Sequence, residues 1–240
     1  MKNYKKLQAS LVCLLLGATA LVSCLKDSEV PFQGIADVVI QDLKTDAGVK
    51  YGVFIYITAN QDIQSATVTE PGTGGKVYQL TATKTKEQFV FIPQASDYTS
   101  TLPVKGDYAI TVTSVGGETI TGKDVVGDET LSPIAIKTAT MASQNLKVTW
   151  DLVSGADAYL VKLYSADRSE LLYISDFLLA TDAQHEIGLS NKGWLSSKQP
   201  VVNTNYVIEL IGVRPETGVT TDKGNNLQFL TIDSKTIKWE

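Results

Sequence analysis

The sequence predicts an all-β protein: two β-sandwiches in series behind a removable leader. Three observations carry this. From Ile35 onward, short alternating apolar and polar runs recur between Gly, Pro, Asn and Asp. No apolar stripe of helical period runs for any length beyond the leader. Leu21-Val22-Ser23-Cys24 closes an apolar segment that begins behind three lysines.

The leader comes first. Lys2, Lys5 and Lys6 precede the run Leu11 to Val22, the charged and apolar regions of a secretory signal. Leu21-Val22-Ser23-Cys24 resembles a bacterial lipobox, with Leu three places before the Cys and a small residue just before it. The resemblance implies cleavage after Ser23 and acyl chains on Cys24. Each buried methylene adds about 0.8 kcal/mol, so several chains on one Cys anchor a protein to a membrane without a spanning helix. An uncleaved membrane helix is the alternative, but Gln8, Ser10 and Thr19 interrupt it and its apolar core is short. After Cys24, Lys26-Asp27-Ser28-Glu29 is similar to the export signal of surface-exposed lipoproteins of the Bacteroidetes. Ser28 breaks the acid run, and a plain solvated tether is the other reading. Residues 1–23 are therefore expected to be a lipoprotein signal peptide and 24–33 a tether, placing the protein at the outer membrane, with the cell surface as the side this signal implies.

Charge excludes some partners. The chain has 21 basic and 26 acidic residues, and losing Lys2, Lys5 and Lys6 takes its net charge from −5 to −8. A nucleic-acid binder needs a basic footprint, so none is expected. Of Cys13 and Cys24 only Cys24 would survive cleavage, which leaves no disulfide and no cysteine metal site. Such a protein relies on its apolar cores, and two domains of ordinary size can supply them.

Strands of the first unit are expected near Ile35–Leu43, Val49–Ala59, Ile63–Thr69, Lys76–Thr83, Gln88–Ile92, Asp107–Val115 and Glu118–Val125. Tyr51, Val53, Ile55 and Ile57 share one face of the second strand, with Phe54 and Tyr56 on the other. Apolar residues on both faces mark a central strand. Gly116-Gly117 makes a tight hairpin, since Gly accepts positive φ at little cost. Seven such strands suit an immunoglobulin-like sandwich, here over 34–128. Gly106-Asp107-Tyr108 resembles its tyrosine corner, in which the hydroxyl bonds backbone near a strand start.

Gly127-Asp128-Glu129-Thr130 is expected to be the linker, and a second sandwich spans 129–240. Leu146-Lys147-Val148-Thr149-Trp150, followed by Val153-Ser154-Gly155-Ala156-Asp157-Ala158-Tyr159, resembles the second and third strands of a fibronectin type III domain. The resemblance implies a core Trp150, a Gly-Ala turn and a Tyr159 opening the next strand. Thr204-Asn205-Tyr206 is similar to that family's Tyr corner, and Leu227, Phe229 and Thr236 to Trp239 supply a last strand. The stretch Asp176 to Val202 departs from the pattern, and Trp194 within it sits on a loop or short helical turn.

Chemistry is thinly represented. His185 is the only histidine, so no triad or metal site can use two of them; Gln184-His185-Glu186 reads as a surface strand. Ser197-Lys198 lacks the strand-turn-helix setting of an activated nucleophile. Gly72-Thr73-Gly74-Gly75-Lys76 has the composition of a phosphate loop without its spacing or its helix, and reads as a hairpin turn. Asp124, Asp128 and Glu129 cluster near the junction but match no calcium motif, and read as solvated linker acids. No catalytic residue, metal or cofactor is expected.

Aromatic residues remain. Trp194, Tyr173, Phe177 and Tyr98 lie in predicted loops and strand ends, where an exposed ring can stack on a sugar or anchor an interface. Trp194 is the foremost, and the competing reading has it plugging the open end of the second sandwich. The expected function is a non-catalytic, lipid-anchored adhesion or binding protein that captures glycan or protein. The alternative is a structural accessory subunit of an outer-membrane transport or surface assembly.

Overall fold

Alternation along the strands becomes two-layer packing in the computed structural model, which describes residues 30–45, 48–195, 199–219 and 226–240. The first sandwich contains β1 (Gly34–Thr45), β2 (Gly48–Ala59), β3 (Ile63–Thr69), β4 (Val77–Gln79), β5 (Thr81–Ala82), β6 (Gln88–Phe91), β7 (Gly106–Ser114) and β8 (Thr119–Val126). One layer runs β1-β2-β6-β5 and the other β4-β3-β7-β8. Val53, Ile55 and Ile57 of β2 are buried, as are Tyr108, Ile110 and Val112 of β7. The two period-2 faces therefore meet in one core. The Tyr108 hydroxyl donates to the Val104 carbonyl at 2.9 Å, closing the expected corner.

Two expectations need correction here. The strand over Lys76–Thr83 is broken. β4 pairs with β3 in one layer and β5 with β6 in the other, and the chain crosses between them at buried Leu80. The packed body also starts inside the expected tether. Phe32 is buried in the core, and Gln33 and Asn60 bond each other.

The second sandwich contains β9 (Ile136–Ala142), β10 (Asn145–Trp150), β11 (Ala158–Ser165), β12 (Leu171–Ile174), β13 (Leu178–Leu179), β14 (Gln184–Ile187), β15 (Asn205–Pro215) and β16 (Leu227–Lys238). Its layers are β9-β10-β14 and β12-β11-β15-β16. This repeats the first sandwich, in which β1-β2-β6 and β4-β3-β7-β8 hold the same places in chain order. Leu146, Val148 and Trp150 are buried opposite Tyr159, Val161, Leu163, Tyr206, Ile208 and Leu210. The Tyr159 hydroxyl accepts the Val153 N–H, and the Tyr206 hydroxyl accepts the Val201 N–H. The fold is thus all-β, two tandem immunoglobulin-like sandwiches, the second with the fibronectin type III arrangement of strands.

The two sandwiches also share a sheet. β16 pairs antiparallel with β15 and, on its other side, parallel with β1 at Ile40↔Phe229 and Gln41↔Leu230. Among the described residues the result is one nine-stranded sheet through both halves, flanked by a three-stranded and a four-stranded sheet. The ladder between β1 and β16 is short, and side chains extend it. Asp37 Oδ2 accepts the Leu227 N–H at 2.9 Å, and Asp42 Oδ1 accepts the Ile232 N–H at 3.0 Å. Both aspartates are 1% exposed. Tyr51 of β2 meets Phe229 of β16 edge-on across the same seam.

The expected linker connects β8 to β9 but is held in place. The Gly127 N–H donates to Gln228 Oε1, the Ile134 N–H to Thr231 Oγ1 and the Ile136 N–H to Asp233 Oδ2. Leu131 and Ile134 are buried. One strand, β16, therefore receives β1, the connection and β15 together.

Burial raises the Asp37 carboxyl to about 7 and the Asp42 carboxyl to about 6, against the pull of their backbone donors. A carboxyl that holds its proton more tightly in the folded state makes the folded state bind more protons. Its contribution is then complete below the unfolded value of 3.8 and is lost as pH rises through the folded one. Asn at position 37 keeps an oxygen for the Leu227 N–H and cannot ionise. Thermal melting in EDTA, followed from about pH 4 to about pH 8, should show Asp37→Asn gaining on the wild type as pH rises. A constant difference between the two curves would refute the raised pKa.

Candidate functional site

The aromatic residues gather at one end of the second sandwich. Trp239, just past β16, is fully buried and meets Tyr206 edge-on at 6.3 Å between centroids and Trp194 at 6.2 Å. Trp194 meets Tyr173 at 5.2 Å, and Tyr173 lies against His185 at 6.0 Å. Such edge-to-face contacts add about 0.5–1.5 kcal/mol beyond area burial. The array runs from β15 to β14 and so joins the two layers.

Trp194 is placed by its neighbours. Its segment pairs with the outer edge of β12: the Ile174 N–H donates to the Gly193 carbonyl and the Leu195 N–H to the Leu172 carbonyl. Gly193 has φ of +104°, and a Cβ there would strike the Ile174 carbonyl oxygen and the Tyr173 ring. Only glycine fits that approach. The half-buried indole donates its N–H to the Gly188 carbonyl at 3.1 Å. Trp194 therefore has the geometry of a plug in the open end of the sandwich.

The other three aromatic candidates also pack inward. Tyr173 is buried in β12, and its hydroxyl lies 2.8 Å from His185 Nε2. Burial holds the His185 pKa below its usual value, and the ring shares a hydrogen bond with the hydroxyl in which the tautomer sets the donor. His185 is on a strand as expected, but half-buried rather than on the surface, because Tyr173 reaches across to it from the opposite layer. Phe177 packs over Ala158, Ile211 and Val213, an apolar cluster separate from the main core. Tyr98 lies over Gly52 of β2, and burial raises its hydroxyl to about 12. These four residues are not brought to one place: Trp194 and Tyr173 touch, while Phe177 and Tyr98 sit elsewhere.

Beside the aromatic array lies a groove of about 420 Å³ lined by Leu172, Glu170, Val201, Thr204 and Tyr206. Leu195, Val201 and Val202 are exposed on this end. Three smaller cavities, of about 140, 110 and 260 Å³, lie elsewhere. The glycine-rich stretch after Pro71 is a hairpin turn between β3 and β4, with Gly72 and Gly74 at positive φ.

The junction acids separate in an unforeseen way. Asp128 pairs with Lys105 on the surface, and Glu129 takes a hydrogen bond from Thr217. Asp124 instead meets Asp37 and Glu216: one carboxylate oxygen from each lies within 4.8 Å of the others. This set could hold a cation. Part of its signal was present in sequence, since Asp37 interrupts the apolar run Ile35 to Ile40. Cys24, the leader, Lys26-Asp27 and Ser197-Lys198 lie outside the described residues. Among the described residues no helix is long and apolar enough to cross a membrane.

No protein-family model matches the chain, and no curated protein matches it. Among solved structures it is similar to a two-domain fibronectin type III segment of chicken tenascin, at 12% identity and a TM-score of 0.31, over 86% of this chain and 99% of that one. The FN1–FN3 domains of chicken CNTN1 give 12% and 0.31, over 85% of this chain and 66% of theirs. A tetra-tandem repeat from the extending region of a large adhesion protein gives 15% and 0.26, over 86% and 50%. At these values the fold assignment rests on the strand order itself.

Two substitutions test the plug. Trp194→Ala should cost about 2–3 kcal/mol, roughly 5–10 °C in melting temperature for a body of this size. Gly193→Ala should cost about 2 kcal/mol or more through strain and collision. Calorimetry checks both, and unchanged melting in Trp194→Ala would remove the plug from the account.

Proposed function

We propose that this chain is a lipid-anchored, non-catalytic binding protein of the bacterial cell envelope, held by Cys24 and capturing a protein partner at the open end of its second sandwich. One observation carries the choice of partner. Trp194, Tyr173, Phe177 and Tyr98 turn their rings to internal packing, while exposed aliphatic Val201 lines the groove and Leu195 and Val202 stand exposed in the same stretch of chain. Sugar recognition stacks rings on an open aromatic face, whereas aliphatic patches beside a groove suit a protein surface. The anchor rests on the lipobox, and outward display on the Lys26-Asp27 stretch. The lone histidine, half-buried against Tyr173, supports a role without acid–base catalysis.

The second reading, a fixed accessory subunit of an envelope assembly, is favoured by the shared sheet. A body joined through β1 and β16 transmits position from one sandwich to the other. Both readings need a partner and differ in where the sandwiches lie.

Protease added to intact cells separates them. Display predicts loss of the sandwiches, and protection, in cells whose known surface proteins are digested, moves the protein inside and favours the subunit. A photo-crosslinker at Val201 should then give a discrete protein adduct that one at exposed Lys84 does not. Equal labelling from both positions would exclude the groove as the contact.

A further inference from the structure

Asp37 lies on β1, Asp124 on β8 and Glu216 just beyond β15, so the three carboxylates come from both sandwiches. The Asp124 carboxylate is aimed at β1: its Oδ2 accepts the Val38 N–H at 2.6 Å, and its Oδ1 accepts the Val125 N–H. Asp37 is 1% exposed; its Oδ2 takes the Leu227 N–H and its carboxyl also feels a hydrogen bond from the Tyr56 hydroxyl, while its Oδ1 has no hydrogen-bond partner. A buried carboxylate oxygen without a donor costs several kcal/mol unless something else satisfies it. The charges acting on Asp37 and Glu216 are acidic: Asp124 on the first, and Asp124, Asp37 and Glu129 on the second. Carboxylates this close repel one another, so the group as it stands is short of positive charge.

We propose that Asp37, Asp124 and Glu216 bind a calcium ion across the seam between the two sandwiches. Calcium holds oxygens at about 2.4 Å, so two ligands on opposite sides of one ion stand up to about 4.8 Å apart. The separations here fall within that limit. Magnesium, at about 2.1 Å, demands near-ideal octahedral geometry and keeps several of its waters, which suits a site of three carboxylates on a fixed sheet seam less well. Three carboxylates supply part of the six to eight oxygens calcium takes, and the half-buried Asp124 and Glu216 leave solvent a way to the rest. A site of this kind falls in the weak range of extracellular modules, with Kd about 10⁻⁴ to 10⁻³ M. The ion would tie β1, β8 and the chain beyond β15 at the place where β16 joins the halves.

The Tyr56 hydroxyl borders Asp37 and feels all three acids, which provides a reporter. Terbium(III) added to the full-length protein in detergent should give tyrosine-sensitised emission that millimolar calcium displaces. Calcium should raise the melting temperature at neutral pH more than magnesium does. Binding should tighten as pH rises, because the carboxyls must lose their protons to solvent before they can hold the metal. Glu216→Gln should weaken calcium binding at least tenfold, while Asp128→Asn, an acid of the same junction outside the set, should leave it unchanged. If Glu216→Gln folds poorly, Asp124→Asn provides the same test by titration. Wild-type melting that ignores millimolar calcium, or a response retained in Glu216→Gln and Asp124→Asn, would overturn the site and assign the charge balance to protons.

Discussion

Two buried carboxylates on one strand hold the two sandwiches together. Asp37 and Asp42 of β1 accept the N–H groups of Leu227 and Ile232, on either side of the short parallel ladder to β16. A hydrogen bond to a charged group contributes about 1.5–3 kcal/mol, more than a neutral one. The same burial makes the charge costly and lifts both pKa values. The seam is strong in contacts and sensitive in charge, and both properties come from taking carboxylates out of water. It also covers two sheet edges at once. Unjoined, β1 and β16 would each present a row of unpaired backbone groups.

The end of the second sandwich follows a related logic. β12 is an outer strand of the nine-stranded sheet, and residues 193–195 cover its edge. Gly193 permits the close approach and Trp194 closes the core against Trp239 and Tyr173. The surface left beside this plug is aliphatic and grooved. Its character follows from where the aromatic residues are needed for packing.

Much of the fold was legible because strand signals are local. Period-2 alternation predicted the inward face of β2, and its Val53, Ile55 and Ile57 are buried. Tyr108 and Tyr206 were readable as corners because each bonds backbone within five residues. Reading failed where a residue answers to a distant one. Leu80 divides an expected strand because the core it fills lies between layers. Tyr173 and His185 meet from opposite sheets, which no spacing reveals. Trp194 was legible as an unusual residue, but its loop position said nothing about the rings it would meet.

The amino-acid sequence by itself determined the all-β class, the order of most strands, the inward face of β2, the two corners and the acidic balance. These follow from contacts within a few residues and from composition. Only the tertiary structure decided that the two sandwiches share a sheet, that the connection between them is held, and that Asp37, Asp124 and Glu216 converge. Asp37 and Leu227 are 190 residues apart. Pairing between two strand edges depends on backbone groups that every residue carries, so no side-chain pattern marks it in advance.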